Sequence, residues 1–167
     1  STEVVAQIGE ESGAEKSAPL GYMAANYRQD DGSINSAAFL GYDPGTIGEP
    51  RVTAGRALTA EDHDGLLVDR SFLRYSGLEV GDRVTISVRL VEREFEIVGE
   101  INEGAFFFQP AVYLLRSTWQ ELKYGEVGPG TPAASVVLLQ GDGLAGGSGQ
   151  GWEAVSKGAA FANIEGV

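Results

Sequence analysis

Cysteine is absent from this chain of 167 residues, and histidine occurs once, at His63. No disulfide, thiolate nucleophile or cysteine-ligated metal is available, and a single histidine falls well short of a zinc pattern. The missing cysteine leaves the compartment open, because such a chain suits the cytosol as well as an exported domain held by its core. Positive charge is scarce too: 12 Lys and Arg stand against 24 Asp and Glu, for a net charge of −12. A chain this acidic repels phosphate backbones and anionic headgroups, which sets nucleic acid aside as a partner. Neutral, cationic or protein partners are favoured. Long apolar runs are also missing. No stretch of about 18 apolar residues could span a bilayer, and no signal-peptide pattern opens the chain. Any membrane attachment is expected through flanking helices outside these residues.

What is present is a 43% hydrophobic fraction and 24 glycines spread along the whole length. That combination predicts one core built from many short strands and turns. Thr2 to Gly9 reads as a strand and Glu10 to Ser17 as a loop. Leu20 to Arg28 and Ser36 to Tyr42 read as a hairpin about Asp30-Asp31-Gly32-Ser33, ended by Asp43-Pro44-Gly45. Leu66 to Val68 is a buried strand. Asp69 then caps a short helix over Arg70 to Ser76, closed by Gly77. From Asp82 to Ile101, Val84, Ile86, Val88 and Leu90 alternate with polar residues, as do Phe95 and Ile97. This predicts a hairpin turning near Glu92-Arg93, with Arg89 and Arg93 facing Glu94 and Glu96. Ala111 to Leu115 is a strand, and Ser117-Thr118-Trp119-Gln120 reads as a capping box opening a helix that Gly125 ends. Ser135 to Leu139 is the last strand, and Trp152 to Ala162 is predicted as a helix. The fold class is α+β: a β-rich mixed or antiparallel sheet with a few short helices. Residues 1–140 are expected to form the main domain. Residues 141–167 form a glycine-rich loop and a C-terminal helical segment, either appended to it or part of it.

Nothing in the chain assembles a catalytic set. His63 lies in Ala60-Glu61-Asp62-His63-Asp64-Gly65, which reads as a solvated turn, and no serine sits in a G-x-S-x-G context. Asp30-Asp31-Gly32-Ser33 lacks the alternating acids of a calcium loop. Gly141-Asp142-Gly143-Leu144-Ala145-Gly146 matches G-x-G-x-x-G in letters, but more glycine follows where a helix must open. No catalytic, cofactor or metal site is therefore expected, and no cofactor. The side chains singled out as candidate partner contacts are Tyr22, Tyr27 and Tyr42 on the first hairpin and Phe106, Phe107 and Phe108. Each is weighed against plain core packing.

One ordered string of motifs spans about 36 to 125. It runs from Phe39-Leu40-Gly41-Tyr42-Asp43-Pro44 through Gly55-Arg56-Ala57-Leu58 and Leu66-Leu67-Val68-Asp69. It continues with Gly77-Leu78-Glu79-Val80-Gly81-Asp82 and closes at Phe95-Glu96-Ile97-Val98-Gly99. This order resembles the extracytoplasmic domain of FtsX-like/MacB-type ABC transporter permeases. The resemblance implies a non-enzymatic domain inserted between the first two membrane helices of a bacterial permease, on the extracellular or periplasmic side. It implies a cytoplasmic ABC ATPase as partner of the parent permease. It also implies a lipoprotein, peptide or other extracytoplasmic protein as partner of the domain, which would relay ATP-driven movement. The competing readings are a free-standing secreted or surface binding module and an enzyme using Glu61, Asp62 and Asp64. A permease domain needs both chain ends at one pole.

Overall fold

A computed structural model describes residues 2–29, 31–102, 109–125, 134–149 and 151–156. The elements are α1 (Thr2–Ser12), β1 (Lys16–Arg28), β2 (Ile34–Tyr42), β3 (Val52–Gly55), β4 (Gly65–Asp69), α2 (Arg70–Ser76) and β5 (Arg83–Val88). They continue with β6 (Val91–Ile101), β7 (Ala111–Leu115), α3 (Arg116–Tyr124), β8 (Val136–Gln140), β9 (Ser148–Gly149) and β10 (Trp152–Glu153). The fold is α+β with a mixed sheet, as the alternation patterns predict. Strand order is β2-β7-β4-β6-β5-β1-β8, and β1 also pairs with β2. That last pairing closes six strands into a ring. The pairs β2–β7 and β4–β6 are parallel, and the others in the ring are antiparallel. Closure leaves no free edge within the ring. β8 extends the ring along the first half of β1, and β3 lies along the end of β6.

Period-two alternation fills the ring. Met23, Ala25 and Tyr27 point inward from β1, as do Ala37 and Phe39 from β2 and Leu66 and Val68 from β4. Val84, Ile86 and Val88 join from β5, Phe95 and Ile97 from β6, and Val112 and Leu114 from β7. β4 and β7 run antiparallel, so the helices that follow them leave from opposite ends. Phe72 of α2 plugs one end and Trp119 of α3 the other, both buried in the same cluster. Leu40, Tyr42, Leu67, Ile101 and Leu115 form a second core outside the ring, packed with Leu20, Leu58 and Val98. This is why β4 is buried on both faces and reads as an unbroken apolar run.

Two close approaches explain how α3 reaches its place. Gly21 and Gly41 are paired across β1 and β2. A Cβ on Gly21 would lie 2.3 Å from Trp119 Cδ2, and one on Gly41 would lie 2.5 Å from Trp119 Cβ. The indole occupies the space that both side chains would fill. At the other end the predicted cap is present. The Asp69 carboxylate accepts from Phe72 N (2.7 Å) and Ser71 Oγ (2.6 Å), and Gly77 closes α2 at φ 73°. Asp69 also accepts from Ala111 N (2.9 Å), which joins α2 to β7.

Several local expectations are corrected. Residues 2–12 form a helix rather than a strand and loop, with Val5, Ile8 and Gly9 on the side turned from solvent. β3 carries no alternation signal, since three of its four residues are exposed. The β5–β6 turn falls at Arg89-Leu90, not at Glu92-Arg93, and leaves Leu90 outside the core. Arg83, not Arg89, pairs with Glu94, and Arg93 pairs with Asp64 and Glu121. α3 starts at Arg116 with no side-chain cap, so Ser117 lies inside the helix rather than at its cap. Trp152 opens β10 and not a helix; residues 157–162 of that expectation lie outside the described residues.

Candidate interaction surfaces

β1 sets the geometry. Its 13 residues extend over about 40 Å at roughly 3.3 Å per residue. At its Arg28 end lie the β1–β2 turn and α2. Gln29 N donates to Ser33 O (3.0 Å), and Gln29 Nε2 donates to Tyr75 O (3.0 Å), tying turn to helix. Ile34 and Tyr75 are each 64% exposed here, and Arg74 lies over the Tyr75 ring at 5.4 Å. β6 ends and β7 begins at this same end, so Asn102 and Gln109 stand here as well. Phe106, Phe107 and Phe108 lie outside the described residues.

At the Lys16 end the first and last described elements meet. Gly9 of α1 packs on Ser17, where a Cβ would lie 2.8 Å from the hydroxyl oxygen. β9 and β10 form a two-stranded ribbon separate from the main sheet. Trp152 Nε1 donates to Glu11 Oε2 (2.9 Å), and Gln7 Nε2 donates to Glu11 Oε1 (2.7 Å). The indole crosses Gly149 so closely that a Cβ there would lie 2.2 Å from Nε1. The Trp152 hydrogen bond, followed by that of Gln7, holds the Glu11 carboxyl below its ordinary pKa.

The tyrosines do not share one surface. Tyr27 is 2% exposed and stacks on Phe72 at 4.6 Å; Tyr42 is fully buried beside Tyr113 at 6.0 Å. Both are core residues, which corrects their place among the contact candidates. Strand parity signalled this for Tyr27, which follows Met23 and Ala25 inward. Tyr42 lies on the outer face and is covered by the second core, which sequence parity cannot register. Burial pushes the Tyr42 hydroxyl up in pKa, with Glu49 adding to the shift. Tyr22 is half-buried against that second core. Its carbonyl accepts from Lys123 Nζ (3.0 Å) and its N–H donates to Ser135 Oγ (2.9 Å).

The acidic turn is a structural joint. Asp62 accepts a fork of two hydrogen bonds from Arg56 (2.7 and 2.8 Å) and also accepts from Thr59 N (2.7 Å). The Arg56 guanidinium holds the Asp62 carboxyl well below the usual carboxylate range. Asp64 pairs with Arg93, while Thr118 Oγ1 donates to His63 O (3.0 Å), fastening the turn to β6 and α3. Among the described residues no group of three His, Cys, Asp or Glu could hold a metal ion. An open, mainly polar cleft of about 500 Å³ lies beside this turn, and Arg56 and Arg83 line it together with Glu61, Glu94 and Glu96. Glu96 faces Arg56 and Arg83 across this cleft, and its charge helps to hold both guanidiniums protonated. The Gly141–Gly146 motif leads into turns and the β9–β10 ribbon, and among the described residues no helix opens after it.

Sequence reasoning missed the β5–β6 tip. Val88 pairs with Val91, so the turn has two residues, Arg89 (φ 50°) and Leu90 (φ 70°). Asn-Gly suits such a turn, whereas an L side chain in the left-handed region costs roughly 1–2 kcal/mol. Leu90 is 100% exposed and Val91 is 62% exposed. Arg89 donates to Lys123 O (2.9 Å), which places the tip beside the end of α3.

No protein-family model matches the chain, and no curated protein matches it at a significant level. Solved structures do match. The extracellular domain of the noncanonical ABC-type transporter YknZ from Gram-positive bacteria is 15% identical at a TM-score of 0.60, over 84% of this chain and 72% of that one. The periplasmic region of MacB from Actinobacillus actinomycetemcomitans is 16% identical at a TM-score of 0.58, over 85% of this chain and 65% of that one. A domain assigned to a permease protein from Porphyromonas gingivalis is 21% identical at a TM-score of 0.52, over 75% of this chain and 57% of that one. No helix among the described residues is long and apolar enough to cross a membrane. At these identities the likeness is one of architecture: the chain has the fold found in the extracytoplasmic domains of ABC-type transporters and permease proteins.

Proposed function

We propose that this chain is the extracytoplasmic domain of an ABC transporter permease, without catalytic activity, which contacts a partner and relays movement driven by a cytoplasmic ATPase. The observation that carries this reading is the meeting of the first and last described elements at one end. Trp152 of β10 is hydrogen-bonded to Glu11 of α1. A domain inserted between two membrane helices requires that arrangement, and a free-standing module does not. The fold likeness supports the same reading. The Arg28 end of β1 would then face away from the bilayer and meet the partner, an extracytoplasmic protein, lipoprotein or peptide. Phe106, Phe107 and Phe108 belong to the connection between β6 and β7, whose flanking residues stand at that end. They join Ile34 and Tyr75 as proposed contacts, while Tyr22, beside Lys123 of α3 at the other end of the ring, is proposed as a separate contact.

β1 is the element suited to a relay. It is paired along its whole length with β8, β2 and β5, and joins the α1 end to the distal turn. The test is the sequence of the parent polypeptide on both sides of residues 1–167. An apolar helix of about 20 residues is expected on each side. A secretory signal upstream with a stop shortly after residue 167 would instead favour a free-standing binding module.

A further inference from the structure

In the main sheet, β3 and β8 have a neighbour on one side only. An open strand edge presents unpaired N–H and C=O groups to any extended chain, and folded proteins blunt such edges with bulges, charges or proline. β3 is blunted, because its register shifts between Val52 and Ala54. β8 is not. Its residues Val136 to Gln140 pair with β1 without a shift and include no charge, proline or glycine.

The direction of its backbone groups follows from the ends of the pairing. Gln140 O accepts from Glu15 N (2.8 Å), and Leu20 O accepts from Ser135 N (2.8 Å). Gln140, and Val136 opposite Leu20, therefore turn their backbone groups toward β1, as does Leu138 between them. Pro19, opposite Val137, has no N–H to offer, which fits this alternation. Val137 and Leu139 are left with N–H and C=O groups aimed away from β1, and no backbone group among the described residues meets them. The edge is walled on both faces. Leu139 shares a face with Ser17, on which α1 packs through Gly9. Leu138 faces the other way, against Gly48 and the second core. The exposed carboxylates of Glu15 and Asp142 flank the Gln140 end, and exposed Glu49 follows Gly48. Against them stands Lys16, while Lys123 near the other end is already held by the Tyr22 carbonyl and the Trp119 ring.

We propose that the outer edge of β8 docks one extended segment of a partner protein, apolar on one face and basic in net charge, which adds to the sheet as a further strand. The backbone groups of Val137 and Leu139 supply the bonds, and the carboxylates around the edge select the charge. A second copy is the poorer occupant, because it brings a net charge of −12 to an edge already ringed by acids. The proposal holds wherever the chain stands relative to a membrane.

The experiment is amide NMR on the isotope-labelled 167-residue chain, with the acetylated and amidated peptide Lys-Val-Thr-Val-Lys-Val-Thr-Val-Lys as probe. In the free chain the Val137 and Leu139 amides should exchange with solvent at least about tenfold faster than the Leu138 amide, which is bonded to β1. Peptide at up to about 1 mM should shift the β8 amides and slow exchange of these two, and the counterpart with glutamate for lysine should bind at least about fivefold more weakly. Leu139→Pro removes one outward donor and no bond to β1, so binding should fall at least about tenfold in a chain that stays folded. E15K/D142K leaves every described side-chain hydrogen bond in place and should weaken the basic peptide by charge alone, which covers the case of a Leu139→Pro chain that fails to fold. Val137 and Leu139 amides as protected as that of Leu138 in the dilute free chain would overturn the proposal, as would β8 amides that ignore the peptide at about 1 mM. Binding unchanged in a folded Leu139→Pro chain would overturn the edge as the site, and binding unchanged in E15K/D142K would overturn the basic partner. Protection that appears only as the chain itself is concentrated, without response to peptide, would replace the partner segment with a second copy.

Discussion

Replacing Gly21 by alanine tests how the barrel end is closed. The new Cβ would lie 2.3, 2.5 and 2.5 Å from three ring atoms of Trp119. Ordinary carbon contacts fall near 3.5–4.0 Å, so ring or strand must move by about 1 Å. The indole is fully buried between β1, β2 and the ring interior and has little room to yield. Overpacking of this kind costs about 1–3 kcal/mol, against a gain of about 0.4–1 kcal/mol from the stiffer unfolded chain. A net loss of about 1–2 kcal/mol is expected, which lowers Tm by about 2–8 °C in a domain of this size. The decisive comparison is the same change in a Trp119→Leu background. There the ring is gone, and Gly21→Ala should become neutral or slightly stabilising. Urea denaturation followed by circular dichroism gives all four stabilities without relying on the removed fluorophore. A Gly21→Ala cost that is equal in both backgrounds would refute the close-approach argument, because contacting residues must couple.

Other expectations follow from the same packing. Tyr27→Ala should cost about 3–5 kcal/mol in urea denaturation, since its ring is buried against Phe72; a cost under about 1 kcal/mol would return it to the surface. Asp69→Ala removes the α2 cap and leaves Ala111 N–H buried without its acceptor, so a loss of about 2–4 kcal/mol is expected. Asp62→Asn tests the Arg56 fork by its pH dependence. The folded carboxyl is depressed, so its contribution is complete above the ordinary value near 4 and is lost as pH falls toward the depressed one. The stability gap between wild type and Asp62→Asn should stay level from pH 7 to about 5 and close below about 4. Gly149→Ala should displace Trp152 from Glu11 and raise acrylamide quenching of its fluorescence, with little change in the main unfolding transition.

The legible parts of the fold are those that a local rule decides. The β5 and β6 alternation, the Asp69–Gly77 helix with both caps, and the β1–β2 hairpin each follow from neighbours in sequence. The misread parts depend on distant partners. Residues 2–12 contain Val4, Val5 and Ile8, which suit a strand as well as a helix, and packing of Gly9 on Ser17 decides between them. The β5–β6 turn was displaced because Arg-Leu is poor turn chemistry and Leu90 extends the apolar alternation. Closure of the ring through β1–β2 and β2–β7 joins residues far apart in the chain, and no period reveals it. The surfaces were less legible still. Aromatic side chains look alike whether buried or exposed, so Tyr27 and Tyr42 stood beside Tyr22 until parity and the second core separated them. The tip at Leu90 became visible only when exposure was known.

The central claim of the proposed function is topological: in a parent permease this domain would stand outside the cytoplasm. The chain contains no cysteine, so a single Ser33→Cys substitution in the exposed β1–β2 turn gives one reporter thiol within it. Intact cells producing the full parent protein should be treated with a membrane-impermeant maleimide, with the unsubstituted parent as control. Labelling at position 33 in intact cells, undiminished relative to lysed cells, is the expected result. Protection in intact cells with labelling only after lysis would contradict the account.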